Sequence, residues 1–245
     1  MPIQRLVVVS DAHLGAASAA VEAGLLRFLD AVPDLGDGLL LNGDIFGFWF
    51  SYRRAIPRAG VRVLARLEAL ARTMPVLMTG GNHDRWGAGD SFWEPELGIR
   101  FAAHELRFSL GGATVLALHG DGLAAPSWTA SLQQRVISHP LTSLGFRALP
   151  AELGFWLADR VGGRLVPSER RARLEDETAA LQRAWAERRL REGQDLSLLV
   201  LGHSHQAVAL ELFPGRRYLN PGAWFDGFRY AVATENSLAL KQFPG

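Results

Sequence analysis

The chain has 245 residues, of which 48% are hydrophobic and 21% are charged, and its formal net charge at pH 7 is +1. This composition allows it to bury a substantial core, and the near-neutral charge creates no field that favours nucleic acid, so we expect no nucleic-acid partner. The absence of cysteine excludes disulfide bonds, thiolate metal ligands and a cysteine nucleophile.

The N-terminal residues 1–10 lack the parts of a signal peptide, which are a basic start, a long apolar core and a small-residue cleavage site. The sequence also lacks a run of about 18 consecutive apolar residues, which a transmembrane helix would need. We therefore expect a cytoplasmic protein.

Short apolar runs alternate with helical patterns along much of the chain. Runs rich in Val and Leu, typical of strands buried on both faces, cover residues 5–10, 38–42, 75–81, 113–118 and 196–201. Apolar residues at helical spacing predict helices over residues 18–32 and 60–73, with Ser18 as the N-cap of the first. This alternation predicts a layered α/β fold.

Residues 124–195 interrupt the alternation. The segment is Arg-rich and helix-like, it is punctuated by prolines, and it contains Trp and Phe residues that a linker would lack. We predict a single domain over residues 1–245, with 124–195 as a helical insertion between the strand that ends near Leu118 and the strand that ends near Leu201.

Polar residues of metal-binding types follow all five apolar runs, and five of the seven histidines are among them. The set comprises Asp11, His13, Asp44, Asn82, His83, Asp84, His119, His203 and His205. The carboxyl ends of strands in such folds gather at one edge, so these side chains are predicted to converge. Carboxylate, imidazole and amide ligands suit Mn, Fe, Zn or Ni. Four histidines and two aspartates are too many for one ion with an open position, so we predict two divalent ions, with Mn expected.

The order of these blocks resembles the calcineurin-like metallophosphoesterase signature. The matching blocks are Asp11-X-His13, Gly43-Asp44, Gly81-Asn82-His83-Asp84, His119 and Gly202-His203-X-His205. The resemblance covers roughly residues 5–225 and implies a four-layer αββα sandwich with a dinuclear metal centre. By its motifs, one ion is held by Asp11, His13 and His205. The other is held by Asn82, His119 and His203, while Asp44 bridges. A metal-bridging hydroxide is then the expected nucleophile.

The resemblance also implies a role for His83, and the residue types that follow it indicate roles for Asp84 and Arg85. His83 is not a ligand in the family pattern and is predicted to stabilise or protonate the leaving oxygen. Asp84 completes the predicted catalytic pair by fixing the orientation of His83 or of its loop. Arg85 is predicted to bind a substrate phosphate, and a solvated surface position is the alternative for it.

Further segments resemble one branch of the family, the UDP-2,3-diacylglucosamine hydrolases of lipid A synthesis. They are residues 43–49, 118–123, 138–150 and 220–224. The chain departs from the branch at His83, where the branch usually carries Arg, and at Gly47, where it usually carries an acidic residue. We predict hydrolysis of the pyrophosphate bond of a UDP-2,3-diacylglucosamine-like lipid. The alternative is another small-molecule phosphomonoesterase or phosphodiesterase of the family, and a nuclease or a non-enzymatic interaction module is less expected.

The predicted insertion leaves two structural alternatives open. Leu132, Val136 and Ile137 begin an amphipathic stripe. The stripe either packs on the sandwich or belongs to a cap over the metal edge, with an apolar slot for acyl chains and arginines for phosphates. Such a cap would also allow peripheral contact with the inner membrane face.

Overall fold

The computed structural model describes residues 2–52, 54–85, 92–123, 140–162, 168–193 and 195–244. In these residues, eleven strands form two sheets, and six helices accompany them. The strands are β1 (Arg5–Val9), β2 (Gly38–Asn42), β3 (Val76–Thr79), β4 (Arg100–Ala102), β5 (Glu105–Leu110), β6 (Ala113–Leu118), β7 (Leu198–Val200), β8 (Val208–Phe213), β9 (Arg216–Asn220), β10 (Arg229–Thr234) and β11 (Leu238–Gln242). The helices are α1 (Ala19–Leu35), α2 (Val61–Ala71), α3 (Trp93–Leu97), α4 (Pro140–Ala148), α5 (Ala151–Gly162) and α6 (Ser168–Glu192).

The two sheets bring several strand ends to one edge. The first sheet has the order β11-β10-β1-β2-β3-β4, and the second has the order β5-β6-β7-β9-β8. Strands β1 to β4 run parallel in the first sheet, as do β6, β7 and β9 in the second. The five predicted strands are therefore confirmed as β1, β2, β3, β6 and β7, and their carboxyl ends carry the polar blocks.

Three apolar layers hold the sheets and helices together. Leu6, Val8 and Leu40 of the first sheet pack against Val115 and Val200 of the second, in a core between the two sheets. A second core lies between the first sheet and helices α1 and α2, and a third lies between the second sheet and α6. The predicted four-layer αββα sandwich is thus confirmed.

Helices α1 and α2 form where the apolar spacing predicts them. The predicted stripes are buried in both, at Val21, Leu25, Phe28 and Leu29 in α1 and at Val63, Leu64, Leu67 and Leu70 in α2. Helix α1 begins directly after Ser18, whose extended backbone (φ −66°, ψ 157°) is that of an N-cap residue. The apolar period therefore fixed both the position and the buried face of these helices.

The predicted insertion contains α4, α5 and α6, so its helical character is confirmed where the structure describes it. The predicted stripe of Leu132, Val136 and Ile137 lies outside the described residues. Phe146 of α4 packs against Phe50, which follows β2, while α6 covers the second sheet. Whether the segment caps the site stays a prediction. Among the described helices, none is both long enough and apolar enough to cross a membrane.

The core between the sheets yields a stability prediction. Leu6 is fully buried there, whereas Leu240 in β11 is 41% exposed. Leu6→Ala leaves a cavity between two sheets that cannot close around it, so it should lower the free energy of unfolding by about 2–5 kcal/mol. Leu240→Ala is the matched control and should change it by about 0.5 kcal/mol or less. Urea unfolding measures both, and equal losses would contradict the assignment of Leu6 to the core.

Candidate metal centre

The loops after β1 and β2 run side by side and bring the first two polar blocks together. The amide of Asp11 donates to the carbonyl of Gly43 at 3.1 Å, and the amide of His13 donates to the carbonyl of Asp44 at 3.0 Å. The second sheet reaches the same place, because the amide of His203 donates to a carboxylate oxygen of Asp11 at 3.2 Å. The carboxyl ends of both sheets therefore contribute to one site.

Most of the predicted ligands have an unusual backbone conformation. Their φ angles lie between 47° and 66°, in the left-handed region, at Asp11, His13, Asp44, His203 and His205. Residues other than glycine rarely occupy this region, and such strain gathers at functional sites. Each of these residues turns its loop sharply, directly after a buried strand, and so presents its side chain at the sheet edge.

Two glycines of the motifs are required by close approach. A Cβ atom on Gly43, which has a φ of 82°, would lie 2.5 Å from Nδ1 of His119. A Cβ atom on Gly81 would lie 2.1 Å from Oδ1 of Asp44. Any larger residue would push these ligands out of place, which explains why glycine precedes the polar residues here.

Among the residues that the structure describes, three groups of His, Asp or Glu side chains have ligand atoms within 4.8 Å of one another. Two of them contain residues that the sequence pattern assigned to separate ions: Asp11 with His13 and His205, and Asp44 with His119 and His203. The third group joins Asp44 to His13 and His83. Asp44 and His13 each belong to two of these groups, so the groups adjoin one another, and the bridging role of Asp44 stays a prediction.

Asn82, the remaining predicted ligand, lies in the loop that contacts Asp44. The amide of the next residue, His83, donates to Oδ1 of Asp44 at 2.9 Å. The Oδ1 atom of Asn82 is buried. Its coordination of an ion stays a prediction.

The two aspartates make the site strongly attractive to cations. Both are buried, and burial raises the pKa of a carboxyl. Against this, the nearby imidazoles of His119 and His205 lower the pKa of Asp11 to about 2. His119 and His83 hold the pKa of Asp44 well below its usual value. Burial lowers the pKa of His119, but Asp44 and Asp11 raise it to about 10. The carboxylates are therefore charged at neutral pH and surrounded by imidazole nitrogens.

The buried atoms of the site fit divalent ions. Nε2 of His119 is buried and lies 3.2 Å from Oδ2 of Asp44, but it lacks hydrogen-bond geometry to the residues that the structure describes. Its Nδ1 donates to the carbonyl of Asn42 at 2.9 Å, so Nε2 is the atom that faces the carboxylates, and it offers a lone pair once an ion displaces its proton. Oδ1 of Asp11 likewise lacks hydrogen-bond geometry to any described donor, although Nε2 of His205 lies 3.3 Å away. Such orphaned buried atoms call for a partner, and a cation suits both.

His83 is held so that one ring nitrogen faces the site. Its Nδ1 lies 2.8 Å from the carbonyl of Gly47, and its Nε2 lies 4.0 Å from Oδ2 of Asp44. Because a carbonyl only accepts hydrogen bonds, Nδ1 carries the proton of that bond. A neutral His83 therefore presents a lone pair at Nε2, and only the imidazolium presents a proton there.

Asp84 is fully buried and binds backbone amides of two loops. Oδ1 accepts from the amide of Gly81, and Oδ2 accepts from the amide of Ile45, both at 2.7 Å. Burial and the charge of Asp44 raise its pKa to about 6. Asp84 thus joins the loop of His83 to the loop of Asp44, and its predicted part in catalysis stays a prediction.

Arg85 forms an ion pair with Asp121 at the side of the site. Its Nε donates to the carbonyl of Gly81 at 3.0 Å, and Nη1 lies 3.3 Å from Nδ1 of His104. The side chain therefore ties the loop after β3 to the loop after β6. Its predicted contact with a substrate phosphate stays a prediction.

Several supporting residues escaped the sequence analysis. The side-chain Nδ2 of Asn220 donates to the carbonyl of Gly202 at 3.0 Å and lies 2.9 Å from Oγ of Ser204, and so holds the loop on both sides of His203. Asn220 ends a strand and precedes Pro-Gly, a signal that could have found it. Glu175, which lies 2.7 Å from Nδ1 of His205, sits within a long charged helix where no local signal marks it.

Comparisons with known proteins agree with this architecture. The family model for calcineurin-like phosphoesterases matches residues 4–207. The UDP-2,3-diacylglucosamine hydrolase of Porphyromonas gingivalis is 26% identical over 255 residues, covering 97% of each chain. The enzyme of that name from Serratia proteamaculans is 26% identical over 240 residues, covering 96% of this chain and 98% of the other. A solved structure described as a novel archaeal phosphodiesterase aligns with a TM-score of 0.52 at 11% identity, covers 97% of this chain and 99% of its own, and so supports the fold alone. Because the family model matches most of its length, the chain belongs to the calcineurin-like phosphoesterase family and is a metal-dependent phosphoester or pyrophosphate hydrolase.

Proposed function

We propose that the protein uses two divalent ions, with Mn expected, to hydrolyse the pyrophosphate bond of a UDP-2,3-diacylglucosamine-like lipid. The observation that carries the two-ion proposal is the position of Asp44, whose Oδ2 lies near a histidine of each predicted ligand set, 3.2 Å from Nε2 of His119 and 4.0 Å from Nε2 of His13. One ion would be held by Asp11, His13 and His205. The other would be held by Asn82, His119 and His203, with Asp44 shared between them.

The chemistry divides between the ions and the side chains around them. Bound divalent ions supply charge neutralisation for phosphoryl oxygens and lower the pKa of coordinated water. Asp11 and Asp44 supply the negative charge of the centre, and His119 would offer its Nε2 lone pair to an ion that displaces the Nε2 proton. His83 acts at the leaving oxygen, and it can donate a proton from Nε2 only as the imidazolium, because Nδ1 is engaged by the carbonyl of Gly47.

The lipid part of the proposal rests on the relatives and on the cap helices. The relatives reported above are named as hydrolases of UDP-2,3-diacylglucosamine. Large apolar side chains of α4 and α5 are exposed, at Leu144, Leu153, Trp156 and Leu157. Helix α4 packs through Phe146 on the loop that follows Asp44 and Gly47. Acyl chains bound along this surface would lie beside the metal edge, and the same surface suits peripheral contact with a membrane.

One observation favours the alternative, a phosphoesterase for another small molecule. The two departures from the lipid-hydrolase branch are in contact, because Nδ1 of His83 binds the carbonyl of Gly47. A Cβ atom on Gly47 would lie 2.7 Å from Cβ of Ala16, so the acidic residue of the branch has no room here. The leaving-group end of this site therefore differs from that of the branch, and the substrate experiments below are designed to distinguish the two.

The shared carboxylate predicts the metal content. Purified protein reconstituted with Mn²⁺ should bind two equivalents by elemental analysis. Asp44→Ala should bind fewer and lose hydrolysis of bis(p-nitrophenyl) phosphate, because it removes an oxygen from both ligand groups. Asp226→Ala, at a solvent-exposed carboxylate, is the control and should keep both ions. A wild-type protein that stays at one equivalent would contradict the two-ion centre.

The position of His83 predicts a loss of turnover without a loss of metal. His83→Ala should keep both ions and lower kcat by roughly 10²–10⁴-fold, the range for a missing general acid. Asp226→Ala is again the control, and it should keep both the ions and the rate. If His83→Ala loses an ion, and the molecules that still hold both ions turn over at the normal rate, then His83 is a metal ligand instead.

The apolar cap predicts a preference for acylated substrate. A diacylated UDP-sugar should have a much higher kcat/KM than the same compound without acyl chains, since each buried methylene contributes about 0.8 kcal/mol. Trp156→Ser should narrow this difference and leave hydrolysis of bis(p-nitrophenyl) phosphate unchanged. Equal kcat/KM values for the two UDP-sugars, with faster hydrolysis of simple aryl phosphates, would favour the alternative function.

A further inference from the structure

Helix α6 makes a series of polar contacts with the loops that carry the predicted ligands. Oε1 of Glu175 lies 2.7 Å from Nδ1 of His205. The next residue, Asp176, is hydrogen-bonded to the side chain of Gln206. Two turns further along, Gln182 is fully buried and donates to backbone carbonyls beside His203 and His119, those of Gly202 at 3.0 Å and Gly120 at 3.4 Å. One helix therefore reaches the loops after both β6 and β7.

The contact at Glu175 determines which nitrogen of His205 is available as a ligand. A carboxylate can only accept a hydrogen bond, so Nδ1 of His205 is the donor. The lone pair of the neutral ring is then on Nε2, which lies 3.3 Å from Oδ1 of Asp11. That oxygen and that nitrogen belong to the ligand group of Asp11, His13 and His205. Glu175 thus holds the ring in the tautomer and orientation that an ion at this group requires.

The position of Glu175 is set by packing rather than by the loop it supports. Ala186 and Leu190 of α6 are fully buried and pack against Leu199 and Leu201 of the second sheet and its loop. This apolar packing holds the helix against the second sheet independently of the contact between Glu175 and His205. The Glu175 side chain is 24% exposed, as expected for a group at the rim of the site. A carboxylate on such an anchored helix can hold His205 without moving with it.

We propose that Glu175 is a positioning residue for the ion held by Asp11, His13 and His205, and that it acts on this ion through His205. The proposal rests on the two-ion function argued above. It assigns to the helical insertion an indirect part in metal binding, through His205, since Glu175 lies within residues 124–195. Removing the Glu175 carboxylate should lower the affinity for the ion held by Asp11, His13 and His205. The affinity for the other ion should not change, because Gln182 and the loops around His119 and His203 stay in place.

The test is a Mn²⁺ titration of metal-free protein by calorimetry, with bound Mn²⁺ counted by electron paramagnetic resonance. Glu175→Gln keeps the shape of the side chain and removes its charge. It should weaken one of the two binding events roughly 10–100-fold, the usual effect of losing a carboxylate behind a ligand histidine. Glu177→Gln, at an exposed glutamate of the same helix, is the matched control and should leave both events unchanged.

A double-mutant cycle separates positioning from a general structural effect. In a His205→Asn background, Glu175→Gln should cause no further loss of Mn²⁺ affinity, because its route to the ion is gone. The unfolding midpoint of metal-free Glu175→Gln should equal that of Glu177→Gln. Additive losses in the cycle, or unchanged binding in Glu175→Gln, would overturn the proposal while leaving the two-ion function intact. If wild-type protein takes up a single ion, the two-ion function fails, and the dependence of that ion on Glu175 still supports or contradicts the positioning role.

Discussion

The burial of two carboxylates side by side is the constraint on which this structure depends. Asp11 and Asp44 are 0% and 1% exposed, and like charges at such depth repel strongly unless other groups offset them. The surroundings supply imidazole nitrogens and backbone amides such as that of His203. The convergence of two sheets at one edge makes this density of donors possible, since neither sheet alone offers enough strand ends.

The sequence predicted the parts of the fold that bury continuous apolar surface. The runs that became β1, β2, β3, β6 and β7 are almost entirely buried, and helices α1 and α2 follow the helical period on one face. Strands such as β4 and β8 carry mixed, half-exposed residues, so no run of one residue type marks their limits. Their positions follow from pairing with neighbouring strands, which is information that no local pattern holds.

The candidate ligands could be predicted from the sequence, because each polar block follows a buried strand. The backbone geometry that brings them together could not be predicted. Asp11 and His205, for example, have a left-handed backbone, which their residue types tolerate better than most but do not by themselves predict. The supporting contacts were equally hidden, because Glu175 and His205 are thirty residues apart and meet only when α6 packs on the second sheet. Tertiary contacts of this kind leave no periodic trace in the sequence.

The left-handed residues also bear on how a protein with this fold can change over generations. Each non-glycine residue in that conformation costs roughly 1–3 kcal/mol, and glycine would occupy it without strain. A descendant released from the need for ions could therefore become more stable by replacing Asp11, His13, Asp44, His203 or His205 with glycine. At Asp11 and Asp44 this relief of strain would be opposed by the loss of the hydrogen bonds that their carboxylates accept from the amides of His203 and His83, so the histidine positions are where the centre would be lost at least cost in stability.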